Sequence, residues 1–272
     1  MLEELYNRIS PACCSVTVFL DDEKISEGSG FAFLPNGQVI TAAHVVTGRF
    51  PIQHSDYVNP ALKIFCKFQG LPVAEYAVQL CSMNIEVPGF SQPVQVDIAM
   101  LNPKKPFPTE VPRIPVVLGD TPRLGQRVFL AGYSEELRLP FDIDQLLLPE
   151  TKGAAEFKAA MDKGYMADMT GPLIKQGHIG NLRRIVTTVS GLGTLECDVM
   201  YIDNAMHPGA SGGPVFNERG EAIGILSQRA TTAVEYGIDG RARVPSGCTI
   251  AIGLSPLEFL GRTPLTDCSR LA

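Results

Sequence analysis

The chain has 272 residues, 45% of them hydrophobic, and a formal net charge of −6 at neutral pH. That composition supports a sizeable core, burying roughly three-quarters of the unfolded surface, in one or two domains. The acidic balance, with a sequence pI near 5.3, argues against a nucleic-acid binder, and no stretch approaches the ~18 apolar residues of a membrane-spanning helix.

The opening segment MLEELYNRISPACC carries Glu3 and Glu4 and lacks a long apolar run, so it does not read as a secretory signal. Leu2, Leu5 and Ile9 at helical spacing predict a short helix that ends before Pro11 and packs on the body. Strands are expected at about 12–20, 25–34 and 38–44, with Asp21-Asp22-Glu23-Lys24 as a polar turn. An apolar run turns at Pro35-Asn36-Gly37 and returns as QVITAAH, a hairpin signal that leaves His44 at a strand end. Residues 61–69 and 73–83 are β-rich and separated by Gly70-Leu71-Pro72. In QVDIAML, residues 95–101, Asp97 is a lone charge entering an apolar strand. A carboxylate there is costly unless satisfied, and an imidazole N–H would satisfy it.

The proline-dense stretch 103–115 cannot be a central strand and reads as an extended linker. A strand follows at 126–133. Residues 141–172 read as an insertion holding a short amphipathic helix, with Ala154, Phe157 and Met161 on one face and Gly164 capping its end. Its plain reading is a surface excursion over the protein body; its sharper one is a lid or partner-sensing loop. Arg183-Arg184 reads as a solvated strand end, and further strands are expected at about 183–190, 193–203, 213–217, 221–228 and 247–254. Ser255-Pro256-Leu257-Glu258 has N-cap chemistry and predicts a short terminal helix, LEFL.

Residues 208–214 place three glycines and two prolines around one serine, Ser211. Glycine weakens strands and proline removes a ladder donor, so this is a sharp turn presenting a side chain and bare backbone N–H groups. Ser211 reads as a nucleophile, with the N–H groups of Gly209 and Ser211 able to converge on one oxyanion. A serine needs a base, and the base an orienting acid. The chain has four histidines, and all precede Ser211. GASGG also fits the nucleophile elbow of α/β-hydrolases, but that fold places its histidine after the serine. The order His, Asp, Ser survives. His54 and His178 read as surface loop residues, and His207 as a pocket-rim residue. The seven cysteines, an odd number without C-x-x-C pairing, point away from zinc and toward reduced thiols, hence a cytoplasmic location.

TAAH, DIAML and GASGGP together resemble the trypsin-like (chymotrypsin-fold) serine proteases, over roughly residues 12–255. YIDNAMHPGASGGPVF followed by GEAIGILS is most similar to the HtrA-type branch. The resemblance implies His44 as general base, Asp97 as its orienting acid, Ser211 as nucleophile and the Gly209 and Ser211 amides as the oxyanion hole. It implies that Ser227 hydrogen-bonds Asp97 and begins the substrate-pairing strand. Ala210 stands where the family often has Asp or Asn, so activation by pairing with a newly cut N-terminus is not expected. Too few residues follow Ser227 for a further domain of about 50 residues, so a stand-alone protease without a PDZ domain is expected. By family register, Ala205, Met206 and His207 and then Ser227, Gln228 and Arg229 form the primary substrate pocket. No carboxylate lies at its floor, which disfavours Lys or Arg and favours Ala, Val or Leu before the scissile bond. Arg229 stands where many relatives have glycine.

The resulting fold expectation is all-β: two six-stranded antiparallel barrels, with short terminal helices and a helical insertion in the second. Residues 1–115 would carry His44 and Asp97, and residues 116–272 would carry Ser211, together forming one protease unit. The expected function is a serine endopeptidase acting on polypeptides, with neither cofactor nor metal and no nucleic-acid or membrane partner. The oligomeric state is open. The rivals are a non-catalytic or partner-activated protein-binding module on the same fold, and an esterase using the same machinery.

Overall fold

The computed structural model describes residues 2–87, 89–118, 121–134, 137, 148, 151–189, 193–236 and 240–258. Helix α1 (Leu2–Ile9) buries Leu5 and Ile9, as its spacing predicts, and a single 3-10 turn containing Pro11 ends it. The helix docks on the second half of the chain. Tyr6 meets Phe129 edge-on at 6.1 Å between ring centroids, and Arg8 donates to the Arg219 carbonyl.

The first sheet comprises β1 (Cys13–Leu20), β2 (Glu23–Ala32), β3 (Val39–Thr41), β4 (Leu62–Phe68), β5 (Ala74–Ile85) and β6 (Val94–Pro103). Its order, β1-β2-β3-β6-β5-β4, returns to β1 as a closed antiparallel barrel. Inward positions are apolar and closely packed, with Val16, Phe31, Ile40, Ile64, Phe68, Ile98 and Leu101 at 2% exposure or less. The β2–β3 hairpin turns at Gly37 (φ 83°), where the sequence marks it.

The proline-dense stretch is extended and pinned at both ends. Val111 and Ile114 donate to the carbonyls of Pro35 and Ala32, and Val117 donates to Ala222 in the second sheet. That sheet comprises β7 (Arg127–Gly132), β8 (Leu173–Val189), β9 (Gly193–Ile202), β10 (Pro214–Phe216), β11 (Ala222–Tyr236) and β12 (Gly240–Gly253). Its strands run β10-β11-β12-β9-β8-β7, and β10 meets β7 through two residue pairs.

The expectation of an all-β chain with two six-stranded antiparallel barrels needs correction. The first sheet is the closed six-stranded barrel. In the second, four strands outrun the shared sheet. β9 and β12 pair only over Val199–Ile202 and Thr249–Ile252, whereas β8 with β9, and β11 with β12, continue as long two-stranded ribbons. Residues 173–182, 229–236 and 240–246 are therefore strand where none was expected. His178 lies in β8, opposite Arg127. Arg184 is no solvated strand end: it faces Asp198 across the β8–β9 ribbon and grips both its oxygens, at 2.7 and 3.1 Å. Burial alone would lower the Arg184 pKa, but the bond to the buried Asp198 outweighs it and raises the pKa.

The helical insertion also sits elsewhere than expected. Helix α4 (Ala154–Ala160), a turn broken at Gly164 (φ 89°) and helix α5 (Ala167–Thr170) interrupt the second half in sequence but lie against the first barrel. A Cβ on Gly164 would stand 3.0 Å from the Ser15 hydroxyl of β1. Lys67 on β4 is fully buried; its ammonium donates to the carbonyls of Phe68 and Leu71 and to Asp168 of α5 at 2.5 Å. Except for Leu148, residues 141–150 lie outside the described residues. The expected terminal helix is one 3-10 turn, Ser255–Leu257, as far as Glu258; the rest of LEFL lies outside the described residues. Ser255 caps nothing, because its hydroxyl donates to the Glu196 carbonyl across the sheet. Among the described residues, no helix is long and apolar enough to cross a membrane.

Candidate active site

The β3 strand ends at Thr41, and helix α2 (Ala43–Thr47) begins at once. Ala43, Val45 and Val46 anchor α2 in the core, and Gly48 (φ 72°) ends it by donating to the His44 carbonyl. His44 is thus held on a rigid single turn, with its side chain 23% exposed. Asp97 lies on β6 with its side chain 4% exposed. Three donors satisfy that buried carboxylate: the His44 backbone N–H at 2.9 Å, His44 Nδ1 at 2.8 Å and the Ser227 hydroxyl at 2.5 Å. A carboxylate oxygen accepts from Nδ1, so in the neutral imidazole the ring proton sits on Nδ1 and Nε2 keeps its lone pair. The Phe50 ring lies 5.4 Å from the imidazole, on the loop after α2. Behind the pair, Cys81 is buried on β5. Burial, reinforced by the Asp97 charge, pushes its thiol well up, so it stays protonated.

Ser211 arrives from the second sheet on a tight turn. Ala210 donates to the His207 carbonyl at 3.2 Å, Gly213 to Ala210 at 3.0 Å and Gly212 to Leu226 at 2.7 Å. Gly209 (φ 88°) and Gly212 (φ 84°) occupy left-handed backbone that disfavours other residues. A Cβ on Gly212 would stand 2.2 Å from the Ser29 carbonyl and from the Thr41 hydroxyl, so only glycine lets the two sheets close here. The N–H groups of Gly209 and Ser211 enter no hydrogen bond among the described residues. The Ser211 hydroxyl donates to the Ser227 carbonyl at 3.2 Å, and no hydrogen bond joins it to His44. Ser227 therefore touches both neighbours: its hydroxyl meets Asp97 and its carbonyl meets Ser211.

Residues 28–225 match the model of the trypsin-like peptidase domain. The chain belongs to that family. Among curated proteins, the trypsin-like chain is similar to "Serine protease Do-like HtrB" of Bacillus subtilis (strain 168). They are 40% identical over 58 residues, 21% of this chain and 13% of that protein. It is also similar to "Protease Do-like 1, chloroplastic" of Arabidopsis thaliana, 24% identical over 235 residues, 86% of this chain and 37% of that protein. Both are Do-like proteases, the HtrA-type branch, and the trypsin-like chain spans well under half the length of either. In fold it resembles the Rv3671c protease from M. tuberculosis, active form, with a TM-score of 0.52 and 17% identity. That match covers 93% of this chain and 81% of the other.

Beside Ser211, the trypsin-like chain has a cavity of about 180 Å³. Of the six residues expected there, Met206, His207, Ser227, Gln228 and Arg229 line it. Ala205 does not; its carbonyl accepts from Lys175 Nζ at 2.9 Å. Pro208, Ala210 and Ser211 also line it, and so do Leu226 and Thr249, which the sequence reading missed. Thr249 is buried on β12, accepting from the Met206 N–H and donating to the Asn204 carbonyl, both at 2.8 Å. Its signal was a lone hydroxyl within CTIAIG. No Asp or Glu is among the described residues lining the cavity. The other two histidines stand apart: His54 opens a short helix, α3 (His54–Tyr57), rather than lying in a loop, and packs on Tyr57, while His178 pairs with Asp203 at 3.4 Å.

Proposed function

We propose that this chain is a serine endopeptidase that hydrolyses polypeptides through an acyl-enzyme on Ser211. The observation that carries the reading is the buried Asp97 carboxylate, which fixes the Nδ1 proton of His44 beside a turn bearing Ser211 and two uncommitted N–H groups. In this mechanism the Ser211 side chain turns from the Ser227 carbonyl toward His44 Nε2. The imidazole takes its proton as Oγ attacks the substrate carbonyl, then gives that proton to the leaving amine. Asp97 stabilises the imidazolium. The Gly209 and Ser211 amides stabilise the tetrahedral oxyanion, each a contribution of about 3–4 kcal/mol. Water, deprotonated by His44, then releases the acid. Residues 1–115 supply the base and its acid, residues 116–272 supply the nucleophile, and the two work as one unit.

The fluorophosphonate label tests the assembled site, because it needs both an activated serine and an oxyanion hole. The intact protein should be labelled and the Ser211→Ala variant should not. Equal labelling of the two would place the nucleophile elsewhere. An unlabelled intact protein would favour the second reading, a module that a partner must activate. One observation supports that reading: the Ser211 hydroxyl is turned to Ser227 rather than to His44. Turnover of small esters without peptide cleavage would favour an esterase.

Substrate preference follows from the pocket wall. Met206 and Leu226 offer apolar contact, the cavity is small, and Lys175 Nζ sits against the Ala205 carbonyl nearby. A buried cation needs a partner. Profiling against a peptide library should therefore yield cuts after Ala, Val or Leu; cuts after Lys or Arg would overturn the assignment. The buried free thiols of Cys13, Cys14, Cys66, Cys81 and Cys197 support a reducing compartment such as the cytoplasm.

A further inference from the structure

Ser29 stands at the middle of Gly28-Ser29-Gly30 on β2, in the first barrel, and is fully buried. Every polar atom it has is committed. Its N–H donates to the Ser211 carbonyl at 2.7 Å, and its carbonyl accepts from the Thr41 hydroxyl at 2.6 Å. Its own hydroxyl donates to the Gly209 carbonyl at 2.7 Å and accepts from the Tyr133 N–H, also at 2.7 Å. Three of those four partners belong to the second half of the chain. The flanking glycines permit the approach: a Cβ on Gly28 would lie 2.9 Å from the Ser211 carbonyl.

We propose that Ser29 is a positioning residue for the oxyanion loop, an inference that rests on the protease reading above. The loop is a four-residue turn closed by Ala210 N–H to His207 C=O, with Pro208 and Gly209 at its centre. The Gly209 φ of 88° marks it as type II. Proline at the first central position suits type I as well, and the two types differ by a flip of the Pro208–Gly209 peptide. That peptide carries one of the two oxyanion donors. The Pro208-Gly209 pair leans toward type II, but glycine adopts either sign of φ, so the turn alone does not lock that state. The Ser29 hydroxyl holds the next carbonyl, that of Gly209, and so biases the turn toward the state in which the Gly209 N–H is presented. Since the same oxygen takes the Tyr133 N–H at the end of β7, the hold exists only when the two sheets are docked. Ser29 thereby links docking to oxyanion stabilisation without touching substrate.

The test is steady-state kinetics on the full chain with a cleavable peptide, alongside inhibition by the matching peptide aldehyde, whose tetrahedral adduct needs the oxyanion donors. Ser29→Ala should lower kcat roughly 10- to 100-fold, less than the loss of a donor itself, through misplacement of a reacting group. KM should stay within about threefold, since the pocket is untouched, and the aldehyde should weaken in parallel with kcat/KM. Ser29→Cys, close in size and a weaker donor, should fall between the two and gives the same comparison if Ser29→Ala does not fold. Unchanged kcat in either folded variant would overturn the proposal. So would a lower kcat with undiminished aldehyde affinity, because a merely structural role predicts that pattern. An inactive unsubstituted protein would overturn the protease reading and this inference together. An active one with an unchanged variant would overturn this inference alone.

Discussion

Asp97→Asn should lower kcat about 10⁴-fold while leaving the chain folded, because it leaves His44 with the wrong tautomer. The carboxylate accepts from His44 Nδ1 and Ser227 Oγ at one oxygen and from the His44 backbone N–H at the other. An amide has one accepting end. With its nitrogen toward the ring, Nδ1 must accept, the proton moves to Nε2, and Ser211 has no base. With its nitrogen toward the His44 backbone, two donors face each other in a site whose carboxylate is 4% exposed, and the α2 turn must shift. KM for the peptide should move little, since Asp97 does not line the cavity beside Ser211. Kinetics and fluorophosphonate labelling rates on the variant check this. A folded Asp97→Asn protein retaining kcat within tenfold would remove Asp97 from the mechanism.

Asp168→Ala should destabilise the fold by about 3–5 kcal/mol, since it leaves a buried ammonium without its counter-charge. Lys67 is fully buried, and Asp168 is its only anionic partner among the described residues. Two carbonyls remain to Lys67, which softens the loss but does not balance the charge. The double variant Lys67→Met with Asp168→Leu should recover most of the stability, because an apolar pair of similar volume carries no desolvation cost. The pH dependence has a definite sign. Burial pushes the Asp168 carboxyl up, but hydrogen bonds from Lys67 and the Gly70 N–H outweigh it, and the net shift is downward. A depressed folded value means the clamp contributes fully above the unfolded carboxyl value of about 4 and fades as pH falls through the folded one. Chemical denaturation of the unsubstituted and variant chains between neutral and acid pH reads both effects. An Asp168→Ala loss below about 1 kcal/mol, the range of an exposed pair, would show that the clamp is not buried in solution.

Much of the first barrel was legible because its signals are local. The Pro35-Asn36-Gly37 turn, the apolar run around Asp97 and the helical spacing of Leu5 and Ile9 each lie within one short window. The candidate residues were legible for a different reason: a lone charge in an apolar strand and a serine among glycines are hard to explain structurally. What escaped depends on partners far away in the chain. Lys67 reads as an ordinary outward residue of a strand until Asp168 meets it. Ser29 looks like filler between two glycines until the Gly209 and Tyr133 backbones close on its hydroxyl. Thr249 shows one polar atom in an apolar strand, with nothing nearby in sequence to reveal its bonds to Met206 and Asn204. The ribbons of β8–β9 and β11–β12 were missed because periodicity says that a segment is extended, but not how far its pairing continues.

The chain delivers the components of its site in a fixed order during synthesis. His44, Asp97 and Ser29 leave the ribosome well before Ser211, and the Ser227 hydroxyl that meets Asp97 comes later still. On the proposed mechanism, a growing chain has a base and its acid without a nucleophile, then a nucleophile whose Asp97–His44 pair still lacks the Ser227 hydroxyl, until β11 closes against β6. A fragment ending before Ser227 would lack the bond that completes the Asp97 shell. On that mechanism the protein would thus become able to cut only after β11 has been made and has closed on β6, an order set by topology and independent of any inhibitor.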